Sequence, residues 1–133
     1  MKRIYTLAEA NQILPLVRVI AREFADRRAT RRTLRKEREI LEDAHTPEGL
    51  LLELAELDAR IADQDEALAR CRREFEEMGM KVLQTQPLTV HIRGASRLGE
   101  VVFCWEEGED KVCFGHEGGH EEEARRPLRL KSA

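Results

Sequence analysis

Cys104, Cys113, His116 and His120 gather two thiols and two imidazoles into one short stretch near the C-terminus. These are the ligand types that hold zinc or another borderline ion. The run His116-Glu117-Gly118-Gly119-His120 also matches the His-Glu-x-x-His pattern, in which a helix sets both imidazoles on one face and the glutamate activates zinc-bound water. Two adjacent glycines oppose that helix by roughly 1 kcal/mol each, and a strand-like pattern precedes them. The segment therefore reads as a polar turn rather than a protease centre. For a plain metal site the geometry is mixed. A two-residue turn at Gly108-Glu109 sets Cys104 opposite Cys113, but three residues past Cys113 a continuing strand puts His116 on the other face. The competing reading makes both cysteines small buried hydrophobes.

A second constellation is electrostatic. Arg27, Arg28, Arg31, Arg32, Arg35, Lys36 and Arg38 form a dense basic block, and Glu53, Glu56, Asp58, Asp63, Asp65 and Glu66 form an acidic one further on. A basic helical track could grip phosphates. A hairpin that sets the two blocks side by side satisfies them internally, and such pairs favour one register over others. Net charge is −3, so the molecule as a whole has no electrostatic attraction to nucleic acid.

The elements that must carry these residues are legible from periodicity. Thr6-Leu7-Ala8-Glu9 is a capping box, with Tyr5 and Ala10 at the positions of a hydrophobic staple. Helical pattern then runs to about Asp43, with Pro15 predicting a kink near Gln12 to Pro15. Thr46 and Pro47 suit a fresh helix start, and Gly79 suits a left-handed cap after about Met78. In the second helix Leu50, Leu54, Leu57, Ile61, Gln64, Leu68, Cys71, Phe75 and Met78 follow alternating steps of four and three. The first helix answers with Ile13, Val17, Ile20, Phe24, Leu34 and Leu41, while Arg27, Arg31 and Arg38 fill seam positions that are normally apolar.

The short link makes the helices antiparallel. Leu41 then faces Leu50, Leu34 faces Leu57, Phe24 faces Leu68, Val17 faces Phe75 and Ile13 faces Met78. Alanines make a second stripe, at Ala10, Ala21, Ala25 and Ala29 on one helix and Ala55, Ala59, Ala62 and Ala69 on the other. A lone hairpin buries one seam per helix, so these small residues allow close approach by a second copy or another partner. Helix propensity alone also explains them.

After Met80 the pattern alternates as strands do, in 81–83, 88–92 and 101–105, with a further strand at 111–114. The Gly108-Glu109 turn pairs Glu106 with Lys111, Trp105 with Val112, Cys104 with Cys113 and Phe103 with Phe114. The tail after Gly118 is polar and reads as irregular, with Pro127-Leu128 packing back. With 133 residues the chain is expected to make one domain: a helical hairpin over 1–79, a small β part over 80–117 and a polar tail over 118–133. Charged residues are 37% and aromatics 5% of the chain, a balance that suits solvated helices rather than a sandwich or barrel. The first residues lack a signal-peptide core and no apolar run reaches the roughly 20 residues needed to span a bilayer. A cytoplasmic location with reduced thiols and no membrane partner is the expectation.

The opening 5–15, Tyr-Thr-Leu-Ala-Glu-Ala-Asn-Gln-Ile-Leu-Pro, the charged hairpin, and the later 99–109, Gly-Glu-Val-Val-Phe-Cys-Trp-Glu-Glu-Gly-Glu, together resemble an uncharacterised bacterial family, domain of unknown function two-two-zero-three. The resemblance covers nearly the whole chain. It implies an acidic-aliphatic segment before the hairpin strands, a Trp-His pair after them and a Gly-Arg-x-Pro-like tail. Here Gln84-Thr85-Gln86-Pro87-Leu88, Gly115-His116 and Arg125-Arg126-Pro127-Leu128 stand in those places.

The fold expected is α+β, a long antiparallel coiled-coil-like two-helix hairpin followed by a small antiparallel β-sheet that caps one end. No acid–base pair, nucleophile arrangement or phosphate-cradling glycine loop is visible. The leading functional expectation is therefore a non-enzymatic protein that self-associates as a dimer forming a four-helix bundle, or binds a protein partner, through Arg27, Arg31, Arg38, Ala55, Ala59 and Ala62. The alternative is a metal-binding protein or metal-dependent enzyme with zinc at Cys104, Cys113, His116 and His120. Nucleic-acid binding through the basic block is the third.

Overall fold

Thr6 Oγ1 accepts from the Glu9 amide at 3.2 Å and Glu9 Oε1 accepts from the Thr6 amide at 3.0 Å, closing the capping box. The helix they start belongs to a computed structural model that describes residues 4–44, 50–97, 99–112, 114–117 and 126–127. At 114, 116, 117, 126 and 127 it describes the backbone alone. Helix α1 spans Leu7–Asp43 and runs through Pro15; helix α2 spans Leu50–Glu77. Strands β1 Met80–Thr85, β2 Leu88–Ser96, β3 Gly99–Glu106, β4 Phe114–Glu117 and β5 Arg126–Pro127 follow, antiparallel throughout and in the spatial order of the chain. The architecture is α+β, two helices and then an antiparallel sheet. Among the described residues no helix is long and apolar enough to cross a membrane.

The chain divides into two compact units, one made of 1–21 with 72–133 and the other of Arg22–Cys71. In the first, Leu88, Val90, Ile92, Phe103 and Trp105 alternate onto one face of the sheet and are buried. Ala10, Leu14, Val17 and Ile20 from α1, Phe75 from the end of α2 and Met78 in the turn after it are buried in the same unit, while Ile13 is half-buried. Tyr5 and Ala10, the staple residues, are both buried. β1 starts at Met80 opposite Ile92, so the edge of β2 beyond that point would be open. Tyr5 fills it, donating to Arg93 O and accepting from the Ala95 amide, each at 3.0 Å. Gly94 is the partner in this bridge, and Phe103 packs so close over it that a Cβ there would collide with the ring.

Gly79, with φ 78°, ends α2 as its spacing predicts. The orphan Met78 carbonyl accepts from Tyr5 Oη at 2.7 Å. A register shift between Val82 and Gln84 leaves Leu83 as the extra residue of a bulge, half exposed at 50%.

The β3–β4 connection departs from the two-residue turn. The strand expected at 111–114 is observed at Phe114–Glu117, and the register is Cys104 with Phe114, Phe103 with Gly115 and Val102 with His116. The cause lies in who uses the intervening backbone donors. Asn11 Oδ1 takes the Val112 amide at 2.9 Å, Glu109 Oε1 takes the Glu106 amide at 2.7 Å, and the Trp105 indole donates to Glu109 O at 3.0 Å. With its donor committed to α1, Val112 is unavailable to a ladder. The tail is also not wholly irregular, since Pro127 pairs with Phe114 and Arg126 with Gly115.

In the unit Arg22–Cys71, Phe24, Leu34, Leu57, Ala67 and Cys71 are buried. Leu41, Leu50, Leu54, Ile61 and Leu68, which complete the expected seams, are half-buried. Gln64, the polar interruption in the leucine series, keeps Oε1 buried without a hydrogen-bond partner among the described residues. The link 45–49, on which the helix start at Thr46 and Pro47 was placed, lies outside them.

Candidate functional site

Two of the three seam arginines cross to the other helix. Arg38 donates from Nε to Asp58 Oδ1 at 2.5 Å and from Nη2 to Oδ2 at 3.3 Å, while Nη1 lies 2.9 Å from Glu42 Oε2. Arg31 Nε donates to Asp65 Oδ1. Arg70 adds a looser contact to Glu23 at 3.9 Å. These contacts run in opposite sense along α1 and α2, as an antiparallel pair requires. A long side chain at a seam position rises past the apolar layer to the margin, where a carboxylate on the neighbouring helix meets it. Bonding to Asp58 first and Glu42 second raises the Arg38 pKa, and the same bond from Arg38 holds the Asp58 carboxyl below its ordinary value. Arg27 instead pairs along its own helix, with Glu23 at 3.8 Å.

The expected internal pairing of basic and acidic blocks is thus present, carried by Asp58 and Asp65. Among the described residues Arg35, Lys36, Glu53, Glu56, Asp63 and Glu66 make no ion pair. Ala55, Ala59 and Ala62 are exposed. Leu51 and Leu52, at 75% and 79% exposure, stand at the start of the same helix, and Ile40 on α1 is 69% exposed. Leu51, Ala55, Asp58, Ala62, Asp65 and Ala69 repeat the four-three spacing of the buried seam one face away.

The C-terminal constellation is placed differently from the expectation. Cys104 is fully buried on β3. Cys113 and His120 lie outside the described residues. The backbone of His116 and Glu117 is strand, not helix, so the pair cannot form a helical metalloprotease motif. The observed register moves His116 opposite Val102, two positions along β3 from Cys104, and so onto a register position of the face that carries Cys104. The objection raised by the shorter turn no longer holds.

Sequence reasoning missed His91. It is Cys104's direct cross-strand neighbour on β2 and only 5% exposed. Its signal was the alternation Leu88-Thr89-Val90-His91-Ile92, which sets His91 opposite in face to three buried apolar residues. Thr89 and Val102 on that second face are buried as well, so the middle of β2 and β3 is covered on both sides. Among the described residues no three His, Cys, Asp or Glu side chains converge on one point.

A family model described as Uncharacterized conserved protein (DUF2203) matches residues 3–128. No curated protein and no solved structure matches the chain.

Proposed function

Because the chain belongs to the DUF2203 family over nearly its whole length, a family defined by sequence rather than by an activity, we propose that its hairpin is an association module whose partner is a second copy of the chain. The observation that carries this reading is the pattern on the unit Arg22–Cys71. A second stripe of Leu51, Leu52, Ala55, Ala59 and Ala62 is exposed. Among the described residues Arg35 and Lys36 on α1 and Glu53, Glu56, Asp63 and Glu66 on α2 make no ion pair.

Such a surface complements itself. In a two-fold dimer α1 of one copy lies beside α2 of the other, so Arg35 and Lys36 meet Glu53, Glu56 and Asp63 of the second chain. Small alanine side chains allow the backbones to approach, and the exposed leucines are removed from water. Burying a leucine is worth about 1.5–3 kcal/mol. The charges add specificity more than affinity. Arg31 and Arg38 take part indirectly, by holding Asp58 and Asp65 at the margin of the alanine stripe.

Light scattering after size exclusion tests this. The wild-type chain is expected at twice its 15.4 kDa mass, and Ala55→Glu with Ala62→Glu is expected at the single mass with unchanged helicity. High salt should shift the wild type toward monomer by screening the rim charges. A chain that stays monomeric at low salt and high concentration sinks the proposal.

A further inference from the structure

We draw no further inference here: the strongest candidate, the exposed apolar surface patch that Pro15, Leu16 and Val19 make on the N-terminal part of α1, carries none because nothing in the structure shows what covers it.

Discussion

Arg38 shows how a charged residue is kept at a position where periodicity asks for an apolar one. Its stem lies along the seam and its guanidinium leaves it to take both oxygens of Asp58, with Glu42 on the remaining edge. The bond from Arg38 lowers the Asp58 pKa, and the sign of the consequence follows from linkage. Asp58 ionises more readily folded than unfolded, so its contribution is full above the ordinary aspartate range and disappears as pH falls through the lowered folded value. At neutral pH and low salt the wild type should therefore melt above Asp58→Asn, and the gap should close as the solution is acidified below about pH 4. Arg38→Gln should remove the same pH-dependence. Thermal melts from neutral to acid pH measure it, and a gap that persists unchanged in acid would show that Asp58 acts through packing or neutral hydrogen bonds. The pair is solvent-exposed, so added salt should also narrow the gap.

Elements differ in how far local sequence determines them. The start of α1 needed only Thr6 and Glu9, and the end of α2 only Gly79; both are local chemistry and both were readable. The antiparallel order and the use of acids to meet seam arginines were also readable, although not that Asp58 and Asp65 would be the partners, because that depends on rotation of two helices about their axes. The β4 register was not readable at all. It is decided by Asn11, whose side chain reaches across 101 positions of sequence to take the Val112 amide. A two-residue turn satisfied every local rule and lost to that single long-range bond. For the C-terminal constellation the consequence was direct, since the one-residue slip moved His116 to a register position on the other face of the sheet. Asn11→Ala removes the acceptor and should destabilise the protein by about 1–3 kcal/mol, the penalty of leaving a buried amide unpaired. Asn11→Asp keeps the acceptor and should lose less. Urea denaturation of the three proteins measures the difference; equal midpoints for wild type and Asn11→Ala would mean that the loop finds another way to satisfy Val112.

At the scale of the whole molecule the two compact units are supported unequally. The unit containing the sheet buries aromatic and aliphatic side chains on β2 and β3 and on the helix segments it includes. The unit Arg22–Cys71 rests on Phe24, Leu34, Leu57, Ala67 and Cys71, with the rest of its seam half-buried. Helices owe most of their stability in water to tertiary packing of an apolar face, and a hairpin with one thin seam and exposed Leu51 and Leu52 has little to spare. A second copy covering that face would stabilise it by mass action, roughly 2.7 kcal/mol when free chain exceeds the dissociation constant a hundredfold. Hydrogen exchange should report this residue by residue. Amides of Arg22–Cys71 should exchange about a hundredfold more slowly across that concentration range. Those of β2 and β3, whose protection comes from their own core, should change much less. If the chain dimerises while the amides of Arg22–Cys71 keep one rate at every concentration, the interface is elsewhere, and the exposed leucine–alanine face must be explained by helix propensity alone.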